Sequence, residues 1–156
     1  MTTYERLVLL VIGLVIIMFA LTRLGVFSGR RPQNLGVTSG QLSPCPGTPN
    51  CVNSQAKDKA HSIEPLPFDG PLTSAQDKLL AVLMAMPRTK IVTDQPGYIY
   101  VEFKTAIMRY TDDVEFWFDE SLGVIHMRSA SRLGTGDLGL NRRRMEEIRK
   151  SYLAYP

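Results

Sequence analysis

Three groups of side chains in this sequence have types and spacings that suit chemistry. In TDDVEFWFD, Asp112, Asp113 and Glu115 crowd carboxylates together, and oxygens of that kind can bind a divalent cation for a hydrolase or another metal-dependent enzyme. The run is short of ligands for such an ion, so a solvated rim or a set of partners for nearby arginines is the competing reading. Ser129 and Ser131 follow His126 closely enough to suggest nucleophilic catalysis. No G-x-S-x-G elbow is present, however, and strand alternation would send His126 and Ser129 to opposite faces. Cys45, Cys51, His61 and His126 are zinc-ligand types, but neither pair has zinc-finger spacing. No catalytic set, metal or cofactor is therefore expected.

The stretch RSASRLGTGDLGLNRRR, Arg128 to Arg144, holds a literal G-x-G-x-x-G at Gly134, Gly136 and Gly139 with arginines on both sides. A dinucleotide site would also need a second parallel strand with an acidic residue about 20 positions further on, and a Walker loop would need Gly-Lys-Ser/Thr. Neither follows. What remains is a glycine turn into a helix N-terminus, where free N–H groups attract an anion. Asp137 is placed to be that anion itself, with Gly134, Gly136 and Gly139 supplying tight geometry and Asn141 lying in the first turn. Arg128 and Arg132, converging with Arg142 and Arg143, would offer rigid forks for a carboxylate or phosphate. They are the candidate ligand-binding residues, and Asp112, Asp113 and Glu115 are the alternative partners for them.

These groups must be positioned by the elements around them. Thr73-x-x-Gln76 matches a capping box, and Leu72, Ala75, Leu79, Val82 or Leu83, and Met86 recur at helical spacing up to Pro87. From Lys90 the period becomes two. Ile91–Thr93, Tyr98–Thr105, a strand carrying Val114, Phe116 and Phe118, and Val124–Ser129 follow one another through short turns. Met145, Ile148 and Tyr152 stripe a final helix. The expected fold is α+β in two layers: an antiparallel four-stranded sheet with both helices on one face.

Upstream, LVLLVIGLVIIMFAL from Leu7 to Leu21 approaches the roughly 20 apolar residues that cross a bilayer, with Arg6 and Arg23 at its edges. It reads as a transmembrane anchor over residues 1–27, with a cleavable signal peptide as the competitor. Residues 28–41 read as a flexible tether and 42–156 as a single domain. The net charge of +3 divides into basic ends and an acidic middle, without the basic, aromatic-interleaved face that nucleic acid requires, so no nucleic-acid partner is expected. Arg23, Arg30 and Arg31 outnumber Arg6 and favour a cytoplasmic domain. Cys45 and Cys51 point the other way. SPCPGTPNCVNS folds back on itself so that a local disulfide is reasonable, which an oxidising compartment would preserve; a reducing one would leave two idle thiols.

CPGTPNCVNS, DDVEFWFD and RSASRLGTGDLGLNRRRMEEIR together resemble the domain-of-unknown-function family 1499, found in bacterial envelope and plant chloroplast proteins, over about residues 42–153. That resemblance implies no chemistry. It does imply a location, an extracytoplasmic, periplasmic-side domain with a Cys45–Cys51 disulfide behind an N-terminal anchor. The expected function is a single-pass, membrane-anchored, non-catalytic domain that binds an anionic ligand or an envelope partner through its arginine-rich motif. The alternative is a hydrolase or metal-dependent enzyme built on Asp112, Asp113 and Glu115.

Overall fold

The computed structural model describes residues 1–155; Pro156, the last residue of the expected domain, lies outside them. Helix α1 spans Thr3–Arg23 and begins with a capping box, in which the Glu5 N–H donates to Thr2 Oγ1 and the Thr2 N–H donates to Glu5 Oε2. Its mean hydropathy is 2.4 and its surface is almost wholly exposed, so it is long and apolar enough to cross a membrane. Gly25, with φ of 75°, ends it and leads into a 3₁₀ turn at Val26–Ser28.

A small hairpin follows, β1 (Val37–Thr38) and β2 (Gln41–Leu42), turned by Ser39 and Gly40 at positive φ. Next come β3 (Cys51–Asn53), β4 (Leu66–Pro67) and α2 (Leu72–Ala85). The remainder is β5 (Thr89–Gln95), β6 (Tyr98–Lys104), β7 (Thr111–Asp119), β8 (Val124–Ser131) and α3 (Leu140–Ala154). The main sheet is antiparallel in the order β3-β8-β7-β6-β5, with β4 also on β8. It has six strands, not the four expected. The two extra ones are too short to show a period of two, and both pair along β8: Val52 opposite Ser129, and Leu66 opposite Ile125.

Alternation decides the two faces. Val101, Val114, Phe116 and Met127 point to one side, where Leu79 and Leu83 of α2 and Met145 and Ile148 of α3 cover them in a single core. Each such buried side chain contributes roughly 2 kcal/mol. Helix α2 starts at Leu72 behind Pro71 rather than at a Thr73 capping box. Gln76 is occupied elsewhere: it donates to Asp94 and to the Gln95 carbonyl and accepts from the Gly97 N–H, tying the helix to the β5–β6 turn.

Residues 28–41, read from composition as a tether, lie across the other face of the sheet. Arg31 reaches Glu102, the Gly36 N–H donates to Glu115, and Gly40 lies against Trp117. Leu42 is buried and donates its N–H to Gln55.

Candidate functional site

On the face beneath residues 31–42, β6, β7 and β8 present Tyr98, Tyr100 and Glu102, then Asp113 and Glu115, then Arg128, with Arg132 just beyond β8. Glu115 is fully buried and Asp113 nearly so. Charges so placed must be matched. Arg132 Nε donates to both Asp113 oxygens at 3.0 Å, and its Nη2 donates to Glu102 at 2.5 Å and to Tyr100 at 2.9 Å. Arg31 donates to the same Glu102 oxygen at 2.7 Å. Arg128 donates to Glu115 at 3.2 Å, and the other Glu115 oxygen accepts from Tyr98 and from the Gly36 N–H. Arg31, Arg128 and Arg132 thus balance Glu102, Asp113 and Glu115 one for one. Burial pulls the Glu102 carboxyl up, but the bonds from Arg132 and Arg31 outweigh it and hold it at about 2. Burial, reinforced by the adjacent carboxylates, pushes both Tyr98 and Tyr100 well above the ordinary phenol range.

A second polar knot sits on the helix side. Asp112 projects opposite to Asp113 and receives Arg144 Nη2 at 2.6 Å, while the Arg144 guanidinium lies 4.8 Å over the Phe103 ring. Asn141, buried in the first turn of α3, is its hub. Its amide donates to the Asn50 carbonyl and to Ser131, and its oxygen accepts from Ser129 and Arg144. Asp137 accepts from the N–H groups of Gly139 and Asn141, so a resident carboxylate occupies the anion position at the start of α3. Gly134 and Gly139 have positive φ and need to be glycine; Gly136 does not.

The same turn frames an opening with a mainly apolar lining. A cavity of about 440 Å³ is lined by Phe27, Tyr110, Leu133, Leu138 and Leu140, with Gly134 and Gly136 along one wall and Asp112, Ser131 and Asp137 as its polar part, both carboxylates already engaged by Arg144 and by the start of α3. That volume falls within the range of small-ligand sites. Phe27, in the 3₁₀ turn that follows α1, meets Tyr110 edge-on at 5.8 Å, so the cavity lies at the end of the domain from which the apolar helix departs.

One family, described as Protein of unknown function (DUF1499), matches residues 41–151. The chain belongs to the DUF1499 family. Among curated proteins none matches it. The match runs from β2 into α3 and so takes in the disulfide between Cys45 and Cys51, the buried pairs of Arg128, Arg132 and Arg144 with the sheet's carboxylates, and the glycine turn. Residues 31–36 of the covering segment precede it.

Within this DUF1499 domain the sequence-expected site residues are separated rather than assembled. Arg128 and Arg132 lie under the N-terminal segment, whereas Arg142 and Arg143 lie on α3 across the sheet. Arg142 donates to the carbonyls of Ala60 and Ser62, and Arg143 donates to that of Leu138. The expected convergence of guanidinium groups does not occur, because β8 alternation and the helix start send them to opposite layers. Asp112 is likewise split from Asp113 and Glu115 by alternation, so the three carboxylates do not face one point. His126 and Ser129 take opposite faces as expected. The neighbour of His126 is instead Ser54, 3.1 Å from Nδ1, whose oxygen also accepts from the Met127 N–H; Asp119 stands 4.0 Å away, beyond hydrogen-bond reach. Burial pushes the His126 pKa down against the pull of Asp119, and its ring stacks on Trp117. Sequence reasoning missed Arg31, Tyr98 and Glu102 as members of the buried network and Phe27 and Tyr110 as cavity walls. A signal existed only for Tyr98 and Glu102, which alternate onto the face opposite Ile99 and Val101.

Proposed function

We propose that this chain is a single-pass membrane protein whose domain lies on the extracytoplasmic side and binds an apolar chain, without catalysis, in the cavity walled by the Gly134–Leu140 turn. The observation that carries this reading is the cavity itself: an apolar opening of ligand size, set where the apolar helix meets the domain. The Cys45–Cys51 bond supports the side of the membrane, since a disulfide persists in an oxidising compartment. Binding of an external anion by the arginine-rich motif has less support. Arg128 and Arg132 are matched to internal carboxylates, Arg142 and Arg143 to backbone carbonyls, and Asp137 holds the helix start. The enzyme alternative meets the same obstacle, because Asp112, Asp113 and Glu115 each already receive an arginine.

The test uses the full chain in nanodiscs of phosphatidylcholine with a fatty acid carrying a diazirine near its methyl end. Photolysis is expected to label Tyr110 and Leu133. Gly136 lies outside the left-handed region and a Cβ there meets open space, so Gly136→Phe should fill the cavity and abolish that labelling while Gly136→Ala preserves it. Labelling confined to α1 in all three proteins would overturn the cavity reading. Two free thiols in freshly lysed cells, without reductant, would overturn the extracytoplasmic placement.

A further inference from the structure

We infer that the end of the domain next to α1 docks on the bilayer surface, with Ile107 and Leu138 entering the leaflet and a basic collar meeting anionic lipid headgroups. This rests on the reading that α1 spans the membrane, and it names the source of the cavity's ligand as an acyl chain of that leaflet.

The anchor's exit places this end near lipid. After Arg23 only a few residues separate α1 from the 3₁₀ turn in which Phe27 touches Tyr110, and Gly29 then sits against Arg132 and Leu133. The two loops that flank this junction are β6–β7, residues 105–110, and β8–α3, residues 132–139. Their tips are apolar and face outward: Ile107 is 83% exposed and Leu138 95%. A single exposed leucine on a protein surface is ordinary, but these two apolar tips belong to loops that border one opening, Thr105 and Tyr110 lining it from one loop and Leu133 and Leu138 from the other.

Both tips are held in shape rather than left loose. In the β6–β7 loop the Thr105 N–H donates to the Tyr110 carbonyl, and Thr105 Oγ1 accepts from the Tyr110 N–H. In the other loop Arg143 donates to the Leu138 carbonyl at 2.6 Å and Asp137 accepts from the Gly139 N–H. Leu138 and Arg109 both have positive φ, at 54° and 56°, a conformation unfavourable for residues with side chains. Such backbone persists when its surroundings enforce it, and here the outcome is a bulky apolar side chain fixed toward solvent. Pre-shaped tips lose little entropy on entering a leaflet.

The charge around the tips completes the match. Arg88, Lys104 and Arg143 line a groove beside the cavity together with Glu147, and Arg109 stands with Arg88 and Lys104 in the neighbouring hollow, whose one carboxylate, Glu102, is held by Arg31 and Arg132. Cations beside apolar tips, here outnumbering Asp137 and Glu147, suit the interface of an anionic leaflet, where each basic side chain near the surface favours binding by about fivefold.

Depth-dependent quenching tests the inference on the full chain. In a Trp117→Phe background, Leu138→Trp supplies a reporter at the tip, and Leu122→Trp supplies one in the β7–β8 turn at the far end of the strands. Each is reconstituted in nanodiscs of phosphatidylcholine with and without phosphatidylglycerol, using acyl chains brominated near the headgroup. The tryptophan at 138 is expected to be quenched by the bromines, more so with phosphatidylglycerol, and shielded from aqueous iodide; the one at 122 should behave oppositely. Arg88→Gln combined with Arg109→Gln should erase the phosphatidylglycerol effect. Equal iodide quenching at 138 and 122 in both lipids would overturn the docking. Loss of diazirine labelling in the cavity with the tip still immersed would remove the apolar-chain reading alone, so the two failures are separable. A Leu138→Trp protein that does not reconstitute is replaced by Ile107→Trp, with the same outcomes.

Discussion

The motif from Arg128 to Arg144 divides near Leu133 into two regions that differ in nearly every physical respect. Its first part, with Ser129 and Arg132, is dense in donors and charge, yet it is closed: each charged group meets a partner inside the domain. The second part, Leu133 to Leu140, is mostly glycine and leucine and carries one charge, yet it borders the open cavity. The contrast teaches that charge density in a sequence marks a site only if the charges remain unmatched after folding. A buried guanidinium without a carboxylate is costly, so a run of arginines in a sheet implies acids nearby before it implies a ligand.

The largest effect that sharpens this contrast is expected at Arg132. Replacing it with Met leaves Asp113 and Glu102 buried with too few partners, which should cost about 3–5 kcal/mol. Thermal unfolding of the reconstituted full chain measures it. A loss below 1 kcal/mol, on the scale of an exposed pair, would mean that the first part of the motif is not the closed structural unit described here.

Acid should act on the same network with a defined sign. Glu102 has a folded pKa of about 2, depressed from an ordinary value of 4.5. A carboxyl of that kind contributes stability that is complete above its unfolded pKa and is lost as pH falls through the folded one. The domain should therefore lose up to about 3 kcal/mol between pH 4.5 and 2 from this residue, and a Glu102→Gln protein should show a correspondingly flatter pH profile in that window. Identical profiles for the two proteins would contradict the network.

Much of the fold was legible in the sequence, and the reason is period. Ile99, Val101 and Phe103, or Val114, Phe116 and Phe118, announce a strand and its buried face by alternation alone, and Leu79, Leu83, Met145 and Ile148 do the same for the helices. What period could not show was pairing between short segments. Cys51–Asn53 and Leu66–Pro67 gain their strand character only from β8, so the sheet read as four strands. Nor could it show that residues 28–41 lie on the sheet. Glycine, proline and arginine there read as a solvated tether, and the partners that hold Arg31 and Gly36, namely Glu102 and Glu115, are some 70 to 80 positions away. For the site, the pairing of Arg128 and Arg132 with acids of β7 was visible as an alternative, whereas the place of Arg31, Tyr98 and Glu102 among them was not. The cavity left no mark beyond its glycines, since Phe27 and Tyr110 belong to stretches that say nothing of each other.

The disulfide offers an intermediate effect. Opening so short a loop by Cys51→Ser should cost about 2 kcal/mol on the chain-entropy account, with Cys45→Ser giving the same value. The buried Cys51 also stands opposite Ala130 in the sheet. A larger loss for Cys51→Ser than for Cys45→Ser would therefore report packing on β8 in addition to the crosslink.

The smallest effects discriminate within the glycine turn itself. Gly139 has φ of 74°, and an added Cβ would come within 3.3 Å of Arg143 Nη1, the group that holds the Leu138 carbonyl. Gly139→Ala should thus cost about 1 kcal/mol or more from the backbone and disturb the Leu138 tip as well. Gly136, in the same G-x-G-x-x-G, has neither constraint, and Gly136→Ala should fall within about 0.5 kcal/mol of the parent. A dinucleotide-type loop would use glycine at both positions, the second for close approach of the backbone to the ligand and the third for helix–strand packing. A turn shaped around a cavity demands it only where φ is positive. Melting curves of the two variants side by side therefore test the cavity-wall meaning: a tolerant Gly136 beside an intolerant Gly139 is expected, and equal destabilisation would contradict it.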